Sequence, residues 1–183
     1  KTTIKLSDSL GAYTMMFDRN MGVSFAWNEA VKKSRGTNIV FVNQDVEMLP
    51  GSLSAIIELL IRNKSPIAVG AKLYFPNSRI IQHAGGEIFF PRCNTKHTGY
   101  LQNDVGQFDI ISSVQYVTGA LFGCRKETLV SLSGFDTRYT PAYYEDLDFC
   151  WRLCKMGGDV VYLPTAKAFH HESSSWGVKS LSF

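Results

Sequence analysis

Three clusters of polar side chains, far apart in the chain, have the residue types that metal-assisted chemistry needs. They are, in chain order, Asn43 with Asp45, Glu145 with Asp146, and His170 with His171. Carboxylate and amide oxygens suit hard cations such as Mg²⁺ or Mn²⁺, and imidazole is a good ligand for Mn²⁺-like ions. A carboxylate at the edge of a cleft can act as a general base when it is ionised and close to an attacking hydroxyl. Together the clusters favour one metal-assisted site.

Each cluster taken alone also has a structural interpretation. An aspartate after a strand can begin a turn and cap the next helix. Carboxylates at the start of a helix are stabilised there by the helix dipole. Histidines near serines in a loop can simply be exposed. These alternatives stay open for each cluster singly, and only the combination of the three favours a site.

The first half of the chain predicts the elements that would position Asn43 and Asp45. A helical pattern that begins near Val23 stops at Gly36, and Asn38–Asn43 is a short apolar run typical of a strand buried on both faces. A helix opened by Pro50 and Ser52, with an apolar stripe, leads to a strand at Ile67–Leu73. Strand, helix and strand at these lengths predict an α/β fold. Its central sheet is mixed and mostly parallel, with helices on both faces.

The apolar stripe of the second helix is expected to contain Leu53, Ile56, Ile57, Leu60 and Ile61. Ligands of open α/β sheets bind beyond the carboxyl ends of the strands. Asn43 and Asp45 directly follow such an end.

The second half of the chain predicts hairpins and loops, then a helix and a last strand. Residues 76–113 contain several glycines and prolines among short apolar pieces, and strand pieces follow at Val114–Val117 and Ala120–Cys124. The spacing predicts a helix over Glu145–Lys155 and a strand over Asp159–Leu163 that ends at Pro164. The helix is expected to bury Leu147, Cys150, Trp151 and Cys154 and to pair Asp148 with Arg152.

Composition excludes several classes of protein. The 183 residues are 45% apolar, 13% aromatic and 19% charged, which excludes a disordered chain. A net charge of +3 without a dense basic run argues against nucleic acid as the main partner. The longest apolar stretches fall far short of the roughly 20 residues that a transmembrane helix needs. We therefore expect one cytoplasmic domain over residues 1–183. Any association with the inner face of a membrane is expected to occur through other domains or partners.

The ordered set of motifs resembles the inverting glycosyltransferases of family 2, which have the GT-A fold. The resemblance runs from about Asn20 to Ser175. The matching segments are Asn20-Met21-Gly22 with Asn28, Val42-Asn43-Gln44-Asp45-Val46 for the metal-binding motif, Thr118-Gly119-Ala120, Gly134-Phe135-Asp136, Glu145-Asp146-Leu147-Asp148-Phe149-Cys150-Trp151-Arg152, and Tyr162-Leu163-Pro164 followed by His170 and Ser175. Each motif is weak alone, whereas their order is specific.

The resemblance implies a role for each matching position. Asp45, with Asn43 and with His170 in preference to His171, would hold a divalent cation, Mn²⁺ or Mg²⁺, on the diphosphate of the donor. Asp146 would be the base for the acceptor hydroxyl, and Glu145 would position the acceptor or the base. The remaining donor-binding positions would be Asn20, Gly22, Asn28, Gly119, Ala120 and Arg152.

Some of these positions keep two interpretations. Asn20 and Asn28 contact the nucleotide or only fix a loop, and Arg152 neutralises phosphate or pairs with Asp148. His83 lies in a segment similar to one found in rhamnosyl- and galactosyl-type members, or is a turn histidine.

The resemblance implies a nucleotide-sugar donor, UDP- or dTDP-linked, and a glycan or lipid-linked acceptor. Members of the family begin with strands that bind the nucleobase, whereas only nineteen residues precede Asn20 here, so part of the N-terminal nucleotide-binding half is expected to be missing. That difference keeps open a catalytically inactive nucleotide- or carbohydrate-binding module. An unrelated nucleotidyltransferase is disfavoured because the sequence has no glycine-rich phosphate loop.

Overall fold

A computed structural model describes residue 9 and residues 11–171 of the chain. Its helices are α1 (Val23–Lys33), α2 (Ser52–Arg62), α3 (Lys126–Ser131) and α4 (Glu145–Lys155). Its strands are β1 (Asn38–Val42), β2 (Val46–Met48), β3 (Ile67–Tyr74), β4 (Ile81–His83), β5 (Gly86–Phe89), β6 (Asn94–His97), β7 (Ser112–Ser113), β8 (Leu121–Arg125) and β9 (Asp159–His170). None of the described helices is long and apolar enough to cross a membrane.

The central sheet has the strand order β1-β8-β3-β9-β2, with β4 added beside β3 and β7 beside β9. Strands β3 and β9 pair in parallel, and β8 pairs antiparallel with β1 and with β3. Strands β1, β3 and β9 therefore run in one direction, and their carboxyl ends lie at one edge of the sheet. The start of β8 lies at this edge as well, because β8 runs the opposite way.

Helices cover both faces of this sheet, which confirms the predicted α/β fold. On one face, α2 contributes Ile56 and Leu60 to a core that it shares with β3 and β9. On the other face, α1 and α4 pack over β1 and β8 around an aromatic group formed by Trp27, Phe41, Phe122, Phe135 and Phe149. Strand β3 is buried along its whole length, as expected for a strand between two helical layers.

The structure corrects the prediction that Pro164 ends the last strand. Strand β9 continues to His170, with Leu163 opposite Ala71 and Lys167 opposite Lys72. The three residues between Leu163 and Lys167 form a bulge, which accommodates a proline that cannot donate to the ladder. The strand thus carries His170 to the edge where β1 ends.

Three predictions of burial were partly wrong. Val42 is 40% exposed, because β1 pairs only with β8 among the described strands. In α2, Leu53 and Ile61 are exposed, so the buried stripe is narrower than predicted. In α4, the buried residues are Glu145, Phe149, Cys150 and Leu153, whereas Trp151 and Cys154 face outward. Phe149 and Leu153 follow Glu145 at intervals of four residues, and this spacing defines the face that meets the sheet.

A buried ion cluster fixes the loop between β6 and β7 against the sheet. Lys72 is fully buried in β3, and its Nζ lies 3.0 Å from Asp104 Oδ2 and also contacts Asp109. The Tyr74 hydroxyl donates to the same carboxylate of Asp104. Although burial acts to raise it, hydrogen bonds from Tyr74, the Gly106 N–H and Lys72 lower the pKa of Asp104 to about 2.

We expect Lys72→Met to reduce the free energy of unfolding by about 3–5 kcal/mol, because it leaves the buried carboxylate of Asp104 without its cation. Urea denaturation measures this change. As a control, Glu58→Gln, which breaks an exposed ion pair with Arg62, should change stability by less than about 1 kcal/mol.

The effect of Lys72→Met should also depend on pH. The carboxylate of Asp104, with its lowered pKa, stabilises the fold above the unfolded pKa and loses that effect as pH falls from about 4 to about 2. The difference between Lys72→Met and wild type should therefore shrink over this range, and an unchanged difference would contradict the assignment.

Candidate active site

Asp45 and His170 lie side by side at the carboxyl edge of the sheet. Only three residues separate β1 from β2, and β2 pairs with the second half of β9 so that Val46 is opposite His170. Such a short connection holds the end of β9 against the end of β1. The Oδ1 atom of Asp45 is 3.4 Å from Nε2 of His170, and the His171 N–H donates to the Asp45 carbonyl over 2.8 Å.

The ring of His170 is oriented by a glutamine. Nδ1 of His170 lies 2.7 Å from Oε1 of Gln82, and because a carbonyl oxygen only accepts, this contact assigns the proton of His170 to Nδ1. In the neutral ring, Nε2 then presents a lone pair toward Asp45. A neighbour that fixes the tautomer of a histidine in this way is typical of metal-binding histidines.

The donor set of Asp45 and His170 fits a divalent cation. Two ligand atoms on adjacent positions of one ion, each about 2.1 Å from it, are separated by about 3 Å, close to the spacing found here. Within residues 11–171, no three His, Cys, Asp or Glu side chains form a group able to hold a metal alone. Mg²⁺-type ions in nucleotide sites commonly use one or two carboxylates and take their other ligands from phosphate and water. Two protein ligands are therefore compatible with an ion bound together with a diphosphate.

Asn43 reaches the site through its backbone. Its N–H donates to the Ala120 carbonyl over 2.9 Å, and its carbonyl accepts from the Val46 N–H over 3.1 Å. These bonds close the turn that presents Asp45 and tie it to the residues before β8. A metal-binding role for the side chain of Asn43 stays a prediction.

Asp146 is held in place by two backbone donors. The Gly119 N–H donates to its Oδ2 over 2.7 Å, and the Leu147 N–H donates to its Oδ1 over 2.8 Å. Gly119 has no room for a side chain, because a Cβ atom there would lie 2.6 Å from the ring of Trp27. Burial raises the pKa of Asp146, while these two hydrogen bonds act to lower it. The carboxylate is therefore fixed in orientation and is more basic than an ordinary aspartate.

Glu145, the residue before Asp146, is buried. It is only 7% exposed, and its Oε2 has no hydrogen-bond partner in the described part of the chain. Burial, followed by the charge of Asp146, raises the pKa of Glu145 to about 7. The carboxyl group of Glu145 therefore keeps its proton to higher pH than an ordinary glutamate, and its role in positioning the acceptor or the base stays a prediction.

A short path joins the two halves of the site. Asn43 is bonded to Ala120, and the preceding residue, Gly119, is bonded to Asp146. Asp45 is two residues from Asn43 and contacts His170. The structure thus brings the three sequence clusters to one edge of the sheet.

A pair of histidines, His83 and His97, lies next to this edge, and only His83 was considered from the sequence. Nδ1 of His83 lies 2.9 Å from Nδ1 of His97, and both rings contact Tyr116. Burial, and then the nearby His97 and His170, lower the pKa of His83 well below its usual value. His83 is thus a buried neutral residue rather than a turn histidine. The sequence pattern predicts no role for Gln82 or His97, although Gln82 adjoins His83 on β4.

Other predicted donor-binding residues are occupied by structural contacts. The amide of Asn28 donates to the Phe135 carbonyl and accepts from the Phe135 N–H, each over 2.8 Å. Arg152 binds Asp148 at 2.7 Å and also donates to the carbonyls of Leu132 and Gly134. The ion pair with Asp148 agrees with one of the two interpretations of Arg152. These side chains fix the loop that precedes α4.

At the start of α1, the Asn20 side chain accepts from the Gly22 N–H over 2.9 Å, which forms a local turn. Gly22 has φ 82°, and a Cβ there would lie 3.1 Å from the Pro141 carbonyl. The two residues therefore place the start of α1 against the loop before α4. Ser175, the last motif position, lies outside the described residues.

Comparisons with known proteins agree with this architecture. The family model described as glycosyl transferase family 2 matches residues 8–129, more than half of the chain. N-acetylglucosaminyl-diphospho-decaprenol L-rhamnosyltransferase of Mycobacterium tuberculosis is 29% identical over 152 residues, covering 76% of this chain and 48% of that protein. O-antigen biosynthesis protein RfbC of Myxococcus xanthus is 31% identical over 156 residues, covering 81% of this chain and 12% of that protein.

Solved structures share the fold. The crystal structure of GalNAc-T7 with UDP, GalNAc and Mn²⁺ superposes with a TM-score of 0.72 at 14% identity, covering 92% of this chain and 34% of that one. The structure of A197 from STIV gives a TM-score of 0.54 at 12% identity, covering 91% and 76% of the two chains. This chain spans about half or less of the length of the relatives with which its sequence aligns. Given the family match over residues 8–129, the chain belongs to glycosyl transferase family 2.

Proposed function

We propose that this chain transfers a sugar from a nucleoside-diphosphate donor to a hydroxyl group of a glycan or lipid-linked acceptor, with inversion at the anomeric carbon. The observation that carries the proposal is the placement of the Asp45–His170 pair and of Asp146 at one sheet edge. Family membership and the likeness to the O-antigen biosynthesis protein RfbC support the substrate classes.

In this proposal, Asp45 and His170 hold a divalent cation, Mn²⁺ or Mg²⁺, on the donor diphosphate. The cation supplies Lewis-acid neutralisation of the charge on the leaving group. GalNAc-T7, which shares the fold, was solved with Mn²⁺ and UDP. Asn43 and Ala120 fix the turn that presents Asp45, and Gln82 keeps the lone pair of His170 directed at the site.

Asp146 takes the proton of the acceptor hydroxyl. The acceptor oxygen forms a bond to the anomeric carbon as the bond from that carbon to the diphosphate oxygen breaks, and the nucleoside diphosphate leaves. The N–H groups of Gly119 and Leu147 hold the carboxylate in the direction of attack. Burial keeps Asp146 basic, and Glu145 positions the acceptor or the base. Attack opposite the leaving group gives inversion.

A donor panel tests this proposal. UDP-glucose, UDP-galactose, UDP-N-acetylglucosamine, dTDP-rhamnose and GDP-mannose are incubated with the protein and Mn²⁺, and release of nucleoside diphosphate is measured with and without glycoside acceptors. We expect release from at least one donor, stimulation by an acceptor, and loss of activity with EDTA. The anomeric configuration of the product, determined by NMR, should be opposite to that of the donor.

A catalytically inactive nucleotide- or carbohydrate-binding module of the same fold is the second candidate. It predicts that a nucleoside diphosphate with Mn²⁺ raises the melting temperature while no donor is turned over. This pattern in the panel would favour the module over the enzyme.

A further inference from the structure

Two consecutive tyrosines directly before the carboxylate pair have an unusual backbone conformation. Tyr143 has φ 81° and Tyr144 has φ 71°, both in the left-handed region. Bulky residues with a Cβ atom rarely adopt this region, and two in succession are rarer still. Strained residues of this kind cluster at active sites and ligand clamps.

The surrounding chain holds the tyrosines in this conformation. The Tyr144 carbonyl accepts from the Asp148 N–H over 2.9 Å, which anchors it to the first turn of α4. A few residues earlier, the Pro141 carbonyl accepts from the Val23 N–H over 3.0 Å, which anchors the loop to the start of α1. The segment is therefore fixed at both ends.

The two tyrosines are largely exposed. Tyr143 is 66% exposed and Tyr144 is 50% exposed, and neither ring has a hydrogen bond or ring contact with another described residue. Trp151, an exposed aromatic residue further along α4, differs. Its ring centroid lies 5.1 Å from that of Phe90 and 4.7 Å from Nζ of Lys155. A strained backbone at two tyrosines that are each half-exposed or more is better explained by a ligand than by packing.

The tyrosines directly precede the carboxylate that the proposed function assigns to the acceptor hydroxyl. Asp146 is two residues from Tyr144. Tyr144 caps the first turn of α4, the turn that carries Asp146, and its carbonyl accepts from the Asp148 N–H. The Asp45–His170 pair is connected to Asp146 through Asn43 and Gly119 rather than through the tyrosines.

We propose that Tyr143 and Tyr144 form a stacking platform for a pyranose ring of the acceptor glycan. An aromatic face binds the apolar C–H face of a sugar, and it leaves the hydroxyl groups at the ring edge free to point at Asp146. The inference rests on the proposed function for its identification of the sugar as the acceptor. The conformation of the two residues sets the direction in which the rings stand.

Matched variants separate the ring from the backbone. Tyr144→Phe keeps the aromatic face, whereas Tyr144→Asn removes it and replaces it with a residue that tolerates the left-handed region. Tyr143→Asn is made in the same way. Binding of the methyl glycosides of glucose, galactose, mannose, rhamnose and N-acetylglucosamine to the protein is followed by saturation-transfer NMR, and the melting temperature of each variant is recorded.

We expect Tyr144→Phe to bind the best of these glycosides within about twofold of wild type, and the two asparagine variants to bind it at least about tenfold more weakly. Unchanged binding in both asparagine variants would overturn the proposal, and so would a wild-type protein that binds none of the five sugars. Nucleotide release from the donor panel, measured without acceptor, reports the proposed function separately. A protein that binds sugar through these tyrosines but turns over no donor would refute the transferase and retain the platform.

Discussion

Asp146→Asn should lower sugar transfer by about 10³-fold or more while the affinity for the nucleoside diphosphate changes less than about twofold. The loss is large because the amide cannot take the proton of the acceptor hydroxyl. Nucleotide binding is spared because Asp45 and His170, which lie at the diphosphate end of the proposed site, keep their geometry. Transfer rates and nucleotide titrations on the same preparation measure both effects.

Asp148→Asn is the matched control for this change. It removes the same charge from the same turn of α4, but Asp148 faces Arg152 and not Gly119. We expect it to reduce transfer only a few-fold. The asparagine at position 146 can accept only one of the two N–H bonds from Gly119 and Leu147, so the melting temperature of each variant is compared as well. Wild-type transfer in Asp146→Asn would remove Asp146 from its role as the base.

Asp45→Ala should weaken nucleoside-diphosphate binding in Mn²⁺ by about 30-fold or more, to the level that wild type shows in EDTA. The change removes the only carboxylate in contact with His170 among the described residues, and with it the charge that would hold a cation on the diphosphate. Isothermal titration with UDP, dTDP and GDP, each with Mn²⁺ or EDTA, measures the effect. His170→Ala is expected to act in the same direction and more weakly.

The neighbouring pair of Glu47 and His171 provides a control of the same chemistry. Its carboxylate and ring lie 3.7 Å apart, but both side chains are about half-exposed or more. Glu47→Gln and His171→Ala should leave Mn²⁺-dependent nucleotide binding unchanged. Equal losses from the two pairs would show that Asp45 and His170 have no special part in binding the ion.

Local sequence patterns predicted much of the fold. Helix α4 has the predicted bounds, Glu145–Lys155, because its apolar spacing and its acidic first turn define it without reference to the rest of the chain. Strand β3 was predicted to within one residue from an uninterrupted apolar run. The end of β9 was not predicted, because the bulge after Leu163 depends on how β9 aligns with β3. The sequence around Pro164 does not by itself determine that alignment.

The candidate site was predicted in its types of residue and only partly in its contacts. Asp45 and Asp146 stood out because they follow a strand and begin a helix. Gln82 did not, because its contact with His170 spans 88 residues and depends on the pairing of β4 with β3. In the same way, His97 meets His83 only once β5 and β6 form their hairpin.

The two uses of Asn28 and Arg152 show the limit of transferring roles by resemblance. Both positions match the motifs, yet their side chains bond to the backbone of Phe135, Leu132 and Gly134. A polar residue in a motif can hold the loop that positions the reacting groups without contacting the substrate. Which of these roles it has depends on where the neighbouring carbonyls point, and that is a property of the folded chain.

The most direct measurement is the anomalous scattering of manganese from crystals of the protein grown with Mn²⁺ and the nucleoside diphosphate that binds best. The account predicts a single strong peak in contact with Asp45 and His170, with the diphosphate on the ion and directed toward Asp146. An ion and diphosphate bound at another edge of the sheet, or nucleotide bound at this edge with no ion between Asp45 and His170, would contradict it.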